Sequence, residues 1–215
     1  MFTFGLNAGQ LGHPNEMVEN QKNYNHSICL ISEPRSITAL NEPDLKIDLI
    51  ACSEACTVAL QHSKNILYVF SGYKCRRLFY ITQTNSPFKK IRVQGGKLDN
   101  TVHPDLNWIE NRADPLLIVG LTESNSLFIW REIDPIWRKI TWSSNKKILV
   151  ADFDLNLQGI ILCTIQGVCY KAQFPKVKIP KSMSNHHISS TQSPVGNLFT
   201  KKQLFKENMI KFFLN

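Results

Sequence analysis

The residues best suited to metal chemistry are Cys52 and Cys56, with the spacing Cys-x-x-x-Cys, and His62, which follows them. Thiolate and imidazole groups are ligands that Zn²⁺ prefers, but a structural zinc site needs four of them. A second pair does not stand nearby, and Cys163 and Cys169 fall in facing strands, where we expect small core residues. The pattern therefore does not favour zinc, and we expect no metal and no other cofactor.

Two glycine-rich segments have the composition of phosphate-binding loops. Gly5, Gly9 and Gly12 lie in the first, and Gly95-Gly96-Lys97 forms the second. Neither has the spacing Gly-x-Gly-x-x-Gly or the first glycine of a P-loop, and no helical pattern follows the first segment to direct amide groups at a phosphate. We therefore interpret these glycines as turn residues.

The residue pattern gives no support for nucleophilic or acid–base catalysis. The sequence contains no Gly-x-Ser-x-Gly elbow, and no local arrangement joins a Ser or Cys to a base and an orienting acid. Asp152 and Asp154 alternate at the end of a strand, where we expect loop-facing carboxylates and not an acid/base pair. The prediction is a protein without enzymatic activity.

Tryptophan and arginine are frequent anchors in protein interfaces, and two Trp-Arg pairs occur here. For Trp130 the alternative is core packing, and for Trp137 it is stacking on the surface. Trp108 lies in an insertion between two strands, and loops carry recognition more often than the strands beneath them. The residues predicted to bind a partner in this part of the chain are Trp108, Trp137 and Arg138.

The net charge of +8 is concentrated near the C-terminus, because residues 171–215 contain eight lysines and one acid, Glu207. Residues 176–197 are rich in Pro, Ser, His and Lys, which predicts a disordered linker. Residues 198–215 place apolar side chains at near-helical spacing, which predicts a short basic amphipathic helix. It could contact an acidic protein, the phosphates of nucleic acid or a membrane surface, or be a solvated terminus. Its candidate contact residues are Lys201, Lys202 and Lys206.

Cysteine usage indicates the redox compartment. Six cysteines without a basic leader and apolar stretch predict reduced thiols in the cytoplasm, with the nucleus as a second compartment. No apolar run approaches the roughly 18 residues of a membrane-spanning helix. With 43% hydrophobic and 20% charged residues, most of the chain is expected to be globular.

Three segments of the chain can be laid over one another. Each has two apolar strands, a polar turn and a third strand with aromatic residues, and the first strands start at Ile47, Ile91 and Ile148. Such periods are typical of propeller blades, and a β-sandwich is the alternative. An insertion around 97–114 lengthens the second unit. The predicted strands are 47–52, 56–60, 66–70, 91–93, 116–121, 127–130, 148–153, 159–163 and 168–170, with weaker fourth strands at 35–38, 77–82 and 138–142.

The first residues form an aromatic strand followed by a glycine-punctuated turn. Alternating Phe2 and Phe4 suit one buried face, and the side chains of Asn7 and Gln10 can pair with loop backbone groups. The segment resembles the repeat of the regulator-of-chromosome-condensation family, aromatic-Gly-x-Asn-x-x-Gly-Gln-Leu-Gly, with a single residue between Asn and Gly. The residues that carry this motif are Phe4, Gly5, Asn7, Gly9, Gln10, Leu11 and Gly12.

Three further stretches, Tyr73–Cys75, Phe88–Gly96 and Phe128–Arg131, extend the resemblance over residues 1–175. The resemblance implies an all-β fold: a partial β-propeller of about three blades plus a leading strand, open as an arc. A flexible basic C-terminal tail would follow it.

The functional implication of the resemblance is a non-catalytic protein-interaction module. These stretches are similar to a family member that joins ankyrin repeats, a propeller and BTB domains, restrains a Bruton-type tyrosine kinase and serves as a ubiquitin-ligase adapter. We expect neither the ankyrin nor the BTB part in this chain, and no small-molecule substrate. The alternatives are a guanine nucleotide exchange regulator of a small GTPase and a nucleic-acid or membrane binder that acts through the basic tail.

Overall fold

The computed structural model describes residues 1–13, 30–80, 86–98, 113–142, 148–156, 159–174 and 212–214. These residues form β-strands and one 3-10 turn. The described part of the chain contains no helix long and apolar enough to cross a membrane. The strands are β1 (Phe2–Leu6), β2 (Leu30–Ser36), β3 (Leu49–Cys52), β4 (Thr57–Gln61), β5 (Ile66–Ser71), β6 (Lys74–Phe79), β7 (Phe88–Lys97), β8 (Ala113–Thr122), β9 (Leu127–Arg131), β10 (Asp134–Trp142), β11 (Val150–Asn156), β12 (Gly159–Thr164), β13 (Cys169–Gln173) and β14 (Phe212–Leu214).

The strands pair antiparallel in four sheets. β1 and β2 form a leading pair, β3 to β6 the first sheet, β7 to β10 with β14 at the edge the second sheet, and β11 to β13 the third sheet. Within each of the last three sheets, strands that follow one another in the sequence are neighbours. This meander is the connectivity of a propeller blade.

The three predicted units coincide with these three sheets, so the all-β prediction of an open propeller arc is confirmed. The fourth strands predicted at 77–82 and 138–142 overlap β6 and β10. The one predicted at 35–38 overlaps the end of β2, but β2 pairs with β1 and is not the fourth strand of one of the three sheets.

Strands β4, β5, β8 and β9 are buried on both faces, which explains their continuous apolar runs. In β8, Leu116 and Ile118 face the first sheet, whereas Leu117 and Val119 face the third sheet. A two-sheet sandwich would bury only one face of each sheet. Here the second sheet is covered on both faces, as the middle blade of three must be.

The buried side chains form three cores, and each core fills the space between two neighbouring elements of the arc. The first core lies between the first and second sheets, and the second core between the second and third sheets. The third core lies between the first sheet and the segment that follows β2, where Ile37 and Leu40 pack against Tyr68 and Phe70. Each core therefore joins elements from neighbouring units of the repeat.

The hairpin turns of the second and third sheets have the same geometry. The Thr122 hydroxyl accepts a hydrogen bond from the Ser126 amide at 3.1 Å, and the Thr164 hydroxyl accepts one from the Val168 amide at 3.2 Å. Both threonines are buried, so the hydroxyl satisfies an amide that the ladder leaves unpaired. The corresponding turns thus repeat in detail as well as in spacing.

The first strands of the three sheets form the inner edge of the arc. β7 lies against β3 on one side and β11 on the other. Ala55 and Gly96 form a parallel bridge between the first and second sheets, while Lys90 and Arg92 of β7 ion-pair with carboxylates of β11. Neighbouring blades are therefore joined at the axis by backbone contacts and by charge pairs.

The sequence predicts that Asp152 and Asp154 face a loop at the end of a strand, and the structure differs. Both lie within β11, where they pair with Lys90 and Arg92 respectively. The hydrogen bond and charge of Lys90 lower the pKa of the Asp152 carboxyl. These carboxylates therefore help to join two blades.

The leading strand also differs from its prediction. Phe2 and Phe4 are 67% and 65% exposed, so the face that they share is not buried. β1 pairs only with β2 among the described strands, and no sheet covers its aromatic face there. Alternation in the sequence identified the strand correctly, but burial depends on a neighbouring sheet that the local pattern cannot reveal.

A disulfide joins Cys163 in β12 to Cys169 in β13, which stand directly opposite each other. The prediction of two reduced core thiols is wrong for this pair, since Cys169 is exposed and Cys163 half-buried. They lie on the face of the third sheet that also carries the exposed Ile161, opposite the buried Ile160. Facing residues of a short hairpin are close enough to be bridged.

The end of the chain adds one strand to the second sheet. Phe212–Leu214 pairs with the free edge of β10, where Ile140 stands opposite Leu214. The predicted helix is therefore wrong for these three residues, because an open sheet edge offers unpaired backbone groups to an extended segment. The predicted linker at 176–197 and the remainder of 198–215 lie outside the described residues.

Candidate functional site

The predicted repeat motif forms a turn that packs on the first sheet. The Asn7 side chain accepts a hydrogen bond from the Gly9 amide at 3.2 Å, and Gln10 accepts one from the Ala8 amide at 2.8 Å and donates to the Leu6 carbonyl at 2.9 Å. These are the backbone pairings predicted for the two amides. Among the other motif residues, Phe4 is exposed, Leu11 is half-buried, and Gly5 and Gly12 adopt φ values of 107° and 82°.

The turn is fastened to the first sheet by Tyr73. Its amide donates to the Gly9 carbonyl at 3.1 Å and its hydroxyl donates to the Asn7 carbonyl at 2.9 Å. A Cβ on Gly9 would lie 2.4 Å from the Tyr73 nitrogen, and the φ of Gly9 is 99°. Glycine is therefore required by close approach as well as by backbone conformation. The motif is placed to hold the leading strand in position.

Two predicted contact residues lie in β10. Trp137 packs against Phe88 and Tyr80, with ring centroids 5.3 and 6.5 Å apart, as part of the first core. Arg138 binds Asp134 of the same strand, with Nε 2.9 Å from Oδ2. Both side chains are thus engaged within the chain. Trp108, Lys201, Lys202 and Lys206 lie outside the described residues and stay predictions.

The cysteines considered as zinc ligands have different environments. Cys52 is exposed, whereas Cys56 is buried in the first core, and burial raises the pKa of its thiol to about 12. A protonated thiol is neither a metal ligand nor a nucleophile. Within the described ranges, no three His, Cys, Asp or Glu side chains are grouped closely enough to hold a metal.

A cavity of about 810 Å³ lies at one end of the inner strands. We call it the axial cleft. All three sheets contribute to it, which gives a single concave surface across three blades. Its lining residues are Ser53, Glu54, Ala55, Val93, Gln94, Gly95, Asp114, Pro115, Leu117, Leu155, Asn156 and Phe174.

A smaller cavity of about 430 Å³ lies beside the axial cleft, and Asp114 and Pro115 line both. We call it the side pocket. Sequence reasoning did not identify either cavity, because their walls combine strand ends and loops that are far apart in the chain. The single local signal was Gly95-Gly96-Lys97, which we interpreted as a turn. The side pocket is lined by Ser71, Gly72, Lys74, Arg76, Gly96, Lys97, Asp114, Pro115, Glu132 and Ile133.

Glu132 joins the first and second sheets beside the side pocket. Its carboxylate accepts from Arg76 Nη1 at 2.6 Å and from the Leu116 amide at 3.0 Å. Burial alone would raise the pKa of this carboxyl, but the Leu116 amide together with the hydrogen bond and charge of Arg76 outweighs it, so the pKa is lowered from 4.5.

The lowered pKa predicts a specific acid sensitivity. A carboxyl with a lower pKa in the folded state contributes stability that is present above its ordinary pKa and is lost as the pH falls through the folded-state value. Replacing Glu132→Gln should therefore cost stability at neutral pH, and the difference from wild type should shrink between about pH 5 and about pH 3.

Urea unfolding across that pH range would measure the difference in free energy. Glu33→Gln, which removes an exposed carboxylate from β2, is the control. A Glu132→Gln difference that stays constant with pH would contradict the inter-blade role assigned to this carboxylate.

The amino-acid sequence of the chain was compared with protein-family models and with known proteins. No family model matches the chain. Over 202 residues the chain is 27% identical to the inhibitor of Bruton tyrosine kinase of Mus musculus. The chain is similar to that inhibitor. It is also 25% identical over 218 residues to the inhibitor of Bruton tyrosine kinase of Homo sapiens, and 27% identical over 187 residues to that of Xenopus laevis.

These matches cover 91%, 96% and 86% of the chain. The relationship to the inhibitor of Bruton tyrosine kinase predicted from the sequence is thereby confirmed, and the match extends beyond the expected residues 1–175. The chain spans only 14%, 15% and 13% of the length of these inhibitors. The similarity therefore concerns one part of each of these longer inhibitors.

Proposed function

We propose that this chain is part of a non-catalytic protein-interaction module that restrains a Bruton-type tyrosine kinase. The observation that carries the proposal is the similarity to three proteins named as inhibitors of that kinase, over 86–96% of this chain. Repeat arrays, in which each unit contacts its neighbours, provide extended concave binding surfaces. The open arc with its axial cleft is such a surface.

A binding assay with purified components tests this proposal. Immobilised full chain should retain purified Bruton tyrosine kinase and should slow its autophosphorylation in a concentration-dependent manner. A tyrosine kinase of the Src type, used under identical conditions, is the control and should be neither retained nor slowed.

Three outcomes are informative. Retention with slower autophosphorylation supports the proposal in full. Retention without any effect on the rate would reduce the function to binding, and a folded chain that retains no kinase would contradict the proposal. Folding is checked beforehand by near-ultraviolet circular dichroism, to which the buried Tyr68, Tyr80 and Trp130 contribute.

A further inference from the structure

We propose that the axial cleft and the side pocket together bind an extended peptide segment of a protein partner that carries an arginine or lysine next to an aspartate or glutamate. The inference rests on the proposed protein-binding function only in taking the ligand to be a protein segment. The geometry, charge and unpaired polar groups of the two cavities supply the remainder of the argument.

The axial cleft has the dimensions and walls of a binding site. Its volume of about 810 Å³ falls within the roughly 300–1,000 Å³ that is typical of ligand pockets. Val93 and Leu117 form a buried apolar floor, and Leu155 and Phe174 add half-buried apolar surface from the third sheet. The aliphatic stem of a long basic side chain would pack on such a surface.

The polar groups of the axial cleft are suited to a cation. Glu54 and Asp114 line it, and no lysine or arginine does so among the described residues. In the described part of the chain, no cation pairs with Asp114, and the buried Oε1 of Gln94 accepts no hydrogen bond. A guanidinium has five donors and no acceptor, so it would satisfy both acceptors.

The side pocket has the opposite preference. Lys74 and Lys97 line it and have no carboxylate partner within the described ranges, whereas Arg76 is already neutralised by Glu132 at 2.6 Å. An acidic side chain would therefore find two unpaired ammonium groups there. Asp114 lines both cavities, so the two cavities adjoin each other. A ligand that places a basic side chain in the axial cleft and an acidic side chain in the side pocket must therefore carry them close together in its sequence.

The backbone around the cleft is held in place before any ligand binds. Ser53 Oγ donates to the Gly95 carbonyl at 2.7 Å, and the Lys97 amide donates to Ser71 Oγ at 2.6 Å. These contacts fix the ends of β3, β5 and β7 relative to one another. A preformed site loses less conformational entropy on binding than one that must be ordered by its ligand.

The test starts from a library that assumes no sequence. Phage-displayed random dodecapeptides are selected against the immobilised full chain, and the proposal predicts enrichment of sequences with Arg or Lys within three residues of Asp or Glu. The most enriched peptide is then synthesised with a fluorescent label, and its affinity is measured by fluorescence anisotropy. Selection of purely apolar or purely acidic peptides would overturn the proposal.

Substitutions then locate the binding. Asp114→Asn and Lys97→Gln should each weaken the selected peptide about tenfold, because each removes a charged hydrogen-bond partner. Glu33→Gln and Lys46→Gln change the same charges on exposed residues elsewhere and should leave the affinity within about twofold. Equal affinities for the four variants would overturn the proposal.

An alternative occupant of the axial cleft, in place of a partner's peptide, is the segment of this chain that follows Phe174. If replacing Lys176 and Lys178 by glutamine strengthens peptide binding, that segment competes for the cleft and the proposal is overturned. No kinase is present in these measurements. A failed kinase retention therefore leaves the peptide site standing, and a failed peptide selection leaves the kinase proposal standing.

Discussion

Replacing Phe88→Ala should lower the free energy of unfolding by about 3–5 kcal/mol, the range for truncating a buried phenylalanine. Phe88 is fully buried at the start of β7, and its ring lies 4.7 Å from that of Tyr80, 5.3 Å from that of Trp137 and 6.2 Å from that of Phe128. The backbone carbonyl of Phe88 also lies 2.8 Å from the His62 imidazole of the first sheet. The truncation would therefore remove contacts that join the first and second sheets.

Urea denaturation, followed by tryptophan fluorescence, measures this loss. Phe79→Ala is the matched control, because Phe79 is 68% exposed in β6 and its truncation should change stability by no more than about 0.5 kcal/mol. Equal effects of the two substitutions would show that the first core does not join the first and second sheets.

Replacing Gly96→Ala should destabilise the protein by about 2–4 kcal/mol, through strain and overpacking together. Gly96 has a φ of 115°, and a Cβ there would lie 2.7 Å from the Ala55 carbonyl oxygen and 2.8 Å from Cys56 Cβ. The residue bridges β7 to the loop after β3, so the clash would force the inner edges of two blades apart.

Gly167→Ala separates the two causes. Gly167 also has a positive φ, 79°, but nothing lies within 4 Å of a Cβ built on it. This control should cost only the strain of the left-handed conformation, about 1–2 kcal/mol. Thermal unfolding of both variants gives the comparison, and a Gly96→Ala loss no larger than that of Gly167→Ala would contradict the close approach of the blades.

Most of the strands could be predicted because each covered strand is an apolar run between polar turns. Val58, Val69 and Ile118 follow this rule, and the turns repeat with threonine or glutamine at their start. β6 was harder to place, because Lys74–Phe79 has neither a continuous apolar run nor strict alternation and is partly exposed. Periodicity identified strands wherever neighbouring sheets cover them.

The features that could not be predicted depend on contacts between distant parts of the chain. The exposure of Phe2 and Phe4 reflects which sheets neighbour β1, and the Cys163–Cys169 bridge reflects the register of one hairpin. The axial cleft combines residues as far apart as Ser53 and Phe174. No short motif marks such a site, because its lining is set by how three blades converge.

The central claim is that the second sheet is a middle blade, packed on both faces by its neighbours. Methyl–methyl nuclear Overhauser effects in a deuterated sample with labelled Ile, Leu and Val methyl groups measure this packing directly. Ile118 should show contacts to Val58 and Val69 of the first sheet, while Val119 should show contacts to Leu162 of the third sheet. Contacts of both residues with one sheet only, or an unpacked face of β8, would contradict the propeller arc.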